Sequence, residues 1–532
     1  MADYDVIVIG GGATGFIAGT LLQKRGKKVL LLEKNSYVGG LACNQHRWPG
    51  YTHNTGMWYL MFARLGWMDQ ELELTKHGLE LLYPKCTGVV MAGYGKNRKP
   101  YKMFMDQGEQ MEYIGHEFGK DVLQDFQNFY ASLAPFQTAM SIAMEGQPMS
   151  IGEMMAPMPV EAQQSMKKLF YLSAHDYVDE FFHGNDKAAA IRGQMMGLAT
   201  DGFYGSINTP GSAFTLAYHA TTPENGAGGS PYRFPKGHTG MFVETIRKTF
   251  EDYGGEVRTS APVAKILVKD HAAVGVKLED GTEISCDKLV SSLDPYNNFV
   301  RLVDESEISP FFRRQLEDYK NEDCNEHIAQ LSLCMNKLPT FSDEFADLNE
   351  GDWRFQVWTF DPDIAEDCWQ AVNNHTVYKD TFATGIYFPN MMDPSLAPEG
   401  KYTASICAQY AWPLHTPPEK VDEQIKASTD MIIDSYSHYM PDFRECIDDV
   451  FLNCPPYWEK EYGVTGGTWT HGMIKLDNIL NFRPVLGMTG YRAPLKNMYL
   501  CGTSNHPGPG VTGYQPRNAV KALLEDEGEQ LR

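Results

Sequence analysis

The sequence has few positive charges for its size and no closely spaced pair of cysteines. Its 532 residues include 46 Lys and Arg against 68 Asp and Glu, which gives a formal net charge of -22. Because this charge repels phosphates, we expect no nucleic-acid partner. The ten cysteines contain no CxxC pair, the spacing typical of zinc sites and redox-active dithiols. We therefore predict reduced thiols, no metal site and no disulfide exchange.

Long apolar runs are also missing. No stretch approaches the ~18 apolar residues that a transmembrane helix requires, and a first strand predicted near the N-terminus leaves no room for a signal peptide. We expect a cytoplasmic protein, with a composition that is compatible with peripheral contact at a membrane surface. Hydrophobic residues at 43% and charged residues at 21% describe an ordinary folded protein. The length predicts two or three domains.

The N-terminal segment 5–15, DVIVIGGGATG, predicts a strand, a glycine turn and the start of a helix. Gly10 permits a tight turn, and Gly12 lets backbone N–H groups reach a pyrophosphate without an intervening Cβ. Gly15 lets the helix pack close to the strand. The pyrophosphate would lie at the helix N-terminus, where unpaired N–H groups and the helix dipole favour an anion. The segment therefore predicts a dinucleotide-binding turn.

A second predicted strand, residues 28–33, ends in an acidic residue. Glu33 is placed to accept hydrogen bonds from a ribose diol. The turn that follows contains the adjacent Gly39 and Gly40, and the next loop contains Gly56. Glycine allows the backbone to approach a ligand closely at each of these positions.

These motifs together resemble the flavoprotein superfamily that includes amine oxidases and phytoene desaturases. In that superfamily the acidic residue is followed by a glycine pair that contacts the FAD pyrophosphate, so the resemblance implies FAD as the cofactor. The superfamily usually has Arg after the pair and Asp before the later glycine, where this sequence has Leu41 and Asn54. A helix predicted over 241–253 and a buried strand over 288–294 resemble the return to the FAD domain. There the resemblance implies that the backbone of Val263 contacts adenine.

The C-terminal region contains a second glycine-rich turn between a strand and a helix. The strand is predicted over 497–502, the turn is HPGPGVTG at 506–513, and the helix is predicted over 518–525. A ligand that meets both this turn and the N-terminal one must be long, as FAD is. Its ring would lie at Gly510 and Val511, where the helix dipole stabilises negative charge on the reduced ring. HPGPGVTG resembles the phytoene-desaturase branch, including its pyridine-nucleotide-disulfide-oxidoreductase-like members.

We predict an α/β fold with two domains. A Rossmann-like, glutathione-reductase-like FAD-binding domain is assembled from residues 1–75, 235–300 and 480–532. Residues 76–234 and 301–479 form an α+β substrate-binding domain with a mixed sheet and a helical insertion. The predicted cofactor-binding residues are Gly10, Gly12, Ala13, Thr14, Gly15, Glu33, Lys34, Gly39, Gly40, Leu41, Gly56, Met57, Val263, Gly502, Gly510 and Val511.

The two predicted substrate segments are rich in methionine and aromatic residues. The methionines of the first segment fit an adaptable apolar channel, a contact with lipid, or plain core packing. In the second segment, aromatic residues accompany strands predicted over 327–334, 384–388 and 402–407. They fit either core packing or a pocket for an apolar or conjugated substrate. The glycine-rich stretch 225–231 is interpreted as a flexible connection.

No spacing of residues identifies a general base. His506 is the first candidate because it precedes the glycines expected near the ring; the alternative is a loop histidine that hydrogen-bonds to backbone. His471 and His53 are further candidates. Trp58 and Tyr59 either wall the ring or belong to the core.

The favoured hypothesis is an FAD-dependent oxidoreductase that desaturates, saturates or isomerises carbon–carbon bonds of an apolar, isoprenoid-like or aromatic small molecule. Its electron acceptor would be oxygen, a quinone or another carrier. One alternative is an amine or alcohol oxidase that releases hydrogen peroxide. The other is a flavin-stabilised binding protein without catalysis. The substrate, the direction of the chemistry and the oligomeric state are left open by the sequence.

Overall fold

The computed structural model describes residues 2–60, 63–220 and 233–531. The glycine-rich stretch 225–231, interpreted above as a flexible connection, lies outside the described residues. Within the described ranges, every helix is too short or too polar to cross a lipid bilayer.

The described residues form eighteen strands and sixteen α-helices. The strands are β1 (Tyr4–Ile9), β2 (Val29–Leu32), β3 (Asn44–Gln45), β4 (His53–Asn54), β5 (Leu81–Leu82), β6 (Cys86–Met91), β7 (Tyr101–Phe104), β8 (Phe234–Pro235), β9 (Glu256–Arg258), β10 (Val263–Lys269), β11 (Ala272–Leu278), β12 (Glu283–Ser291), β13 (Ala329–Met335), β14 (Gln356–Phe360), β15 (Ala383–Tyr387), β16 (Tyr402–Ala408), β17 (Ile447–Asn453) and β18 (Met498–Leu500). The helices are α1 (Ala13–Gln23), α2 (Leu65–Leu72), α3 (Gln107–Glu117), α4 (Lys120–Ser132), α5 (Ala134–Ala143), α6 (Ile151–Met155), α7 (Val160–Tyr171), α8 (Ala174–Phe182), α9 (Ala189–Gly197), α10 (Ser212–Ala220), α11 (Gly240–Asp252), α12 (Pro310–Asp318), α13 (Ala365–Asn373), α14 (Val421–Ser437), α15 (Pro455–Tyr462) and α16 (Tyr514–Asp526).

The first large sheet contains the N-terminal strand. Five of its strands are parallel, in the order β18-β12-β1-β2-β9, and β10 and β11 form an antiparallel meander that leads into β12. All four residues of β2 are buried, because one face of the strand packs in a core with α1 and α11 and the other packs in a core with β10 and β11. The helices α1, α11 and α16 pack together against this sheet.

The second large sheet has the order β17-β13-β16-β15-β14-β6-β7. Its pairings are antiparallel except that of β6 with β14, so the sheet is mixed. Helices between residues 107 and 220 form a layer whose buried face makes the largest hydrophobic core of the chain. The sheet thus carries the helical insertion expected of the substrate-binding part.

The predicted fold class is confirmed by these two sheets. The first sheet takes its strands from residues 4–32, 256–291 and 498–500, and the second takes them from 86–104 and 329–453. This alternation agrees with a discontinuous FAD-binding unit, whereas the domain boundaries themselves stay a prediction.

The predicted elements occur close to their expected positions. The helix predicted over 241–253 is α11, and the strands predicted over 327–334, 384–388 and 402–407 are β13, β15 and β16. The C-terminal helix begins at Tyr514, four residues before its predicted start at 518. The N–H groups of the first helical turn have no intrahelical acceptor, so the turn tolerates proline. The helix can therefore begin before Pro516.

The methionine cluster of the helical layer packs in the core. Four of these residues are buried and three more pack against them: Met140, Met144, Met154 and Met166 are buried, and Met149, Met155 and Met158 lie at the edge. Their contacts favour the core-packing interpretation over an adaptable channel.

Helices α1 and α11 pack on each other around the side chain of Phe250. Phe250 of α11 is fully buried, and its ring lies against Gly19 of α1 and against Gly255. A Cβ at Gly19 would lie 3.2 Å from the ring, and one at Gly255 would lie 2.4 Å from it. The ring of Phe250 therefore fits only because both of these neighbours are glycine.

Phe250→Ala is expected to lower the free energy of unfolding by about 3–5 kcal/mol, because a large cavity would remain between α1 and α11. Urea unfolding followed by circular dichroism measures the change. Phe311→Ala is the matched control, since Phe311 is 71% exposed and its loss is expected to change stability by less than about 0.5 kcal/mol. Equal losses in the two variants would contradict this account of the packing.

Candidate functional site

One cavity of about 640 Å³ is lined by both glycine turns and by strands of the second sheet. All predicted cofactor-binding residues except Gly15 and Gly502 line it. Those two glycines serve packing instead. A Cβ at Gly15 would lie 2.0 Å from the carbonyl oxygen of Gly10, and one at Gly502 would lie 2.4 Å from that of Ser292.

The N-terminal turn contacts the glycine pair directly. The Gly39 N–H donates to the Gly11 carbonyl at 2.8 Å, and Gly12 and Gly39 form an isolated parallel bridge. A Cβ at Gly12 would meet no described atom closer than the Gly40 Cα at 4.0 Å, so it would project into the cavity. The α1 N-terminus, which has no acidic residue in its first turn, faces the same space. This arrangement fits a bound pyrophosphate.

Glu33 lies at the end of β2 with its carboxylate buried. Its Oε2 accepts a hydrogen bond from the Gly11 N–H at 2.8 Å, and its Oε1 accepts one from the Asn35 N–H at 2.9 Å. Burial raises the pKa of this carboxyl, while the two backbone donors favour its charged form. The carboxylate keeps further acceptor capacity for a ribose diol, because each oxygen offers about two lone pairs.

A buried arginine that sequence reasoning did not single out as functional holds the loop at residues 470–472. Arg483 donates to the carbonyl oxygens of Thr470 at 2.7 Å and Gly472 at 3.0 Å. The Tyr218 hydroxyl donates to the Pro509 carbonyl at 2.8 Å. Thr470 and Pro509 both line the cavity, so these bonds fix two loops at the end of the cavity where Gly510 lies.

Only one of the three candidate histidines lines the cavity. His506 Nε2 lies 2.7 Å from the Ala143 carbonyl, and His53 Nε2 lies 3.0 Å from the Leu333 carbonyl. Neither imidazole reaches the cavity, so their proposed placement beside the ring is corrected, and the backbone-bonded alternative describes His506. His471 does line the cavity. Burial lowers the pKa of each of the three imidazoles to about 4.

Aromatic side chains form much of the remaining cavity wall. Trp358 lies across Gly385 of the neighbouring strand, where an added Cβ would be 2.4 Å from the indole. The Trp358 ring centroid is 5.6 Å from that of Trp58, and Trp469 stacks on Trp458 at 5.8 Å. Trp58, Trp358 and Trp469 all line the cavity, as does Tyr59, which was predicted with Trp58.

Two polar residues of the cavity wall were missed by sequence reasoning. Asp201 follows α9 and His219 lies in α10, and the Asp201 Oδ2 is 3.6 Å from the His219 Nε2. They are eighteen positions apart in a helical segment without a motif, so no local signal connects them. Cys407 and Gln409, at the end of β16, line the cavity nearby.

Similarity to known proteins extends over nearly the whole chain. Residues 8–64 match the model of the NAD(P)-binding Rossmann-like domain family. The chain is 25% identical to pyridine nucleotide-disulfide oxidoreductase domain-containing protein 2 of Rattus norvegicus, with 98% of this chain and 94% of that protein covered. It is 24% identical to the chloroplastic prolycopene isomerase 2 of an Oncidium hybrid cultivar, covering 96% and 81%. It is 23% identical to the lycopene-forming phytoene desaturase of Pseudescherichia vulneris, covering 98% and 99%.

The chain is an FAD-dependent oxidoreductase, and its sequence resembles those of phytoene desaturases over nearly its whole length. The fold of this oxidoreductase also resembles the solved structure of wild-type putrescine oxidase bound to putrescine. The two share 13% identity and a TM-score of 0.58, with 98% of each chain covered. The expectation of a flavoprotein is confirmed.

Gly12→Val is expected to abolish FAD binding by this phytoene-desaturase-like protein without unfolding it. The backbone of Gly12 has φ -81° and ψ 177°, which valine adopts readily, and the added side chain would occupy the space against the α1 N-terminus. Absorbance of the purified protein measures bound flavin, and thermal unfolding of the FAD-free form measures folding.

Gly152→Val is the matched control for this variant. Gly152 lies in the exposed helix α6, with the nearest atom to an added Cβ 3.9 Å away. We expect it to keep its flavin. A yellow Gly12→Val protein with unchanged FAD content would contradict the assignment of this turn.

Proposed function

We propose that this chain catalyses desaturation, saturation or isomerisation of carbon–carbon bonds in an apolar, isoprenoid-like or aromatic substrate. The observation that carries the proposal is the wall of the cavity beyond the glycine turns. Trp58, Trp358, Phe360 and Trp469 line it together with aliphatic residues, and such a wall binds flat or extended hydrocarbons. The similarity to proteins named phytoene desaturase and prolycopene isomerase supports the same class.

The proposal assigns the cofactor to the residues of the two turns. Gly12 and the α1 N-terminus hold the pyrophosphate, Glu33 holds a ribose and the Val263 backbone contacts adenine. Gly510 and Val511 lie beside the ring. All five residues line one cavity, which supports a single long ligand.

Bound FAD supplies a two-electron acceptor or donor of hydride. The residues of the chain orient the substrate and exclude water. Trp358, held against Gly385 by the register of β14 and β15, presents a flat apolar surface to the substrate. The fully buried Arg483 keeps the loop at Thr470 in place. Oxygen, a quinone or another carrier would complete the electron transfer.

An amine oxidase is the second candidate, and one observation favours it. The Asp201 carboxylate lies in a wall that is otherwise largely aromatic and aliphatic, and a carboxylate beside aromatic rings attracts an ammonium group. The chain would then oxidise a carbon–nitrogen bond and release hydrogen peroxide when oxygen accepts the electrons.

Anaerobic mixing of the FAD-loaded protein with a panel of compounds tests the proposal. The panel contains terpene and carotenoid hydrocarbons, apolar aromatic compounds, and primary amines as the comparison class. We expect a hydrocarbon or aromatic compound to bleach the flavin and to yield a product lighter by two hydrogens. In the saturating direction, the chemically reduced protein is reoxidised and the product is heavier by two hydrogens. Isomerisation gives a new chromatographic peak of unchanged mass.

Mass spectrometry and a peroxidase-coupled assay separate the candidates. Bleaching by amines alone, with hydrogen peroxide formed on admission of air, would replace the proposed function with the amine oxidase. Turnover of a hydrocarbon by protein from which FAD has been removed would contradict both.

A further inference from the structure

The cavity wall contains one carboxylate that faces the substrate side without a hydrogen-bond donor among the described residues. The Asp201 side chain is 36% exposed and lines the cavity. Two other acidic residues of the cavity wall, Glu33 and Asp294, have hydrogen-bond donors near the cofactor turns. Glu33 accepts from two backbone N–H groups, and Asp294 accepts from Asn297 and Thr465. Asp201 is therefore available to a ligand in a way that these carboxylates are not.

The position of Asp201 is fixed against the loops at the C-terminal turn. A Cβ at the following Gly202 would lie 2.4 Å from the Thr470 side chain, and the Ile474 N–H donates to the Gly202 carbonyl at 2.7 Å. On the other side, Tyr218 precedes His219 and donates to the Pro509 carbonyl at 2.8 Å. The pair thus lies beside the end of the cavity where we propose the reacting ring.

The hydrogen bonding of His219 defines which of its nitrogens can take a proton. Its Nδ1 lies 3.0 Å from the Thr215 carbonyl, and because a carbonyl only accepts, Nδ1 carries a hydrogen. The Nε2 lies 3.6 Å from the Asp201 Oδ2, so the His219 ring packs beside the carboxylate.

The ionisable groups near Asp201 are affected by burial as well. Burial raises the pKa of Asp201, an effect partly opposed by His219. Burial also raises the pKa of Glu326 to about 8 and that of the Cys407 thiol well above its usual range. Both neighbours are therefore largely uncharged near neutral pH. Burial lowers the pKa of His471, the other candidate base of the cavity wall, to about 4.

We propose that Asp201 is the catalytic residue that accepts the substrate proton, with His219 as its positioning partner. The inference rests on the proposed function. In desaturation, bound FAD would take one substrate hydrogen as a hydride, and the Asp201 carboxylate takes the hydrogen of the adjacent carbon as a proton. The electron pair of this second C–H bond becomes the new π bond. Saturation uses the same groups in reverse.

The test uses a probe that reports proton removal without oxidation. In 5-nitrobenzisoxazole, a base takes the C3 proton, the N–O bond breaks and a coloured cyanophenolate forms. The probe is flat, apolar and aromatic, so it suits the cavity wall. Its rate is measured with FAD-loaded wild-type protein and with Asp201→Asn, which preserves the shape of the side chain. We expect Asp201→Asn to lower the rate at least about 100-fold, the usual contribution of a general base.

Three further variants make the result specific. Asp252→Asn, at an exposed position in the last turn of α11, is the matched control and should retain the wild-type rate. His471→Gln tests the competing base in the cavity wall. In His219→Gln, we expect the midpoint of the pH–rate profile to lie at a higher pH than in wild type, because His219 lowers the pKa of Asp201. Glu326 and Cys407 are the other titratable groups near this carboxylate.

The outcomes separate this inference from the proposed function. A wild-type rate no greater than that of buffer, an unchanged rate in Asp201→Asn, or a loss confined to His471→Gln would overturn the role of Asp201. The flavin absorbance of each variant shows whether it retains FAD. A slower reaction in a variant that retains FAD is then due to the substituted side chain and not to a disrupted cofactor site. If ring opening depends on Asp201 but no hydrocarbon or aromatic compound reacts with the flavin, the base stands and the proposed oxidoreductase reaction fails.

Discussion

Two backbone segments meet at Gly12 and Gly39 with no side chain between them. The 2.8 Å hydrogen bond from the Gly39 N–H to the Gly11 carbonyl joins the turn after β1 to the turn after β2. The Gly11 N–H also donates to Glu33. Residues 10–12 therefore connect the end of β1, the end of β2 and the start of α1. The open space beside Gly12 exists because all these contacts are made by backbone atoms or by a single carboxylate.

The cofactor half of the site was predictable because its signals are local. A glycine turn between a strand and a helix requires particular residues at fixed spacings, and Gly10, Gly12 and Glu33 satisfy that requirement within one short segment. The same holds for Gly510, which follows a strand and precedes a helix. Even the two predicted glycines that do not line the cavity, Gly15 and Gly502, have the close-packing role that absence of a Cβ permits.

The proposed catalytic residues were not predictable because tertiary contacts bring them together. His506 lies next to the glycines in sequence, yet its ring turns away and bonds to the Ala143 carbonyl of a distant helix. Asp201 and His219 become neighbours only when α9 and α10 pack together, and helix periodicity does not distinguish a residue facing a cavity from one facing the core. The aromatic residues posed the same difficulty: Trp358 lines the cavity while Trp458 is fully buried.

The strand order of the first sheet also constrains how the protein is made. β1 and β2 lie near the start of the chain, but β12 does not gain its outer neighbour until β18, residues 498–500, has been synthesised. During translation the growing sheet therefore carries an open strand edge for some two hundred residues. Open edges invite pairing with other chains, and such long-range pairing is slow. The interrupted cofactor fold thus lengthens the interval in which the nascent chain depends on protection from aggregation.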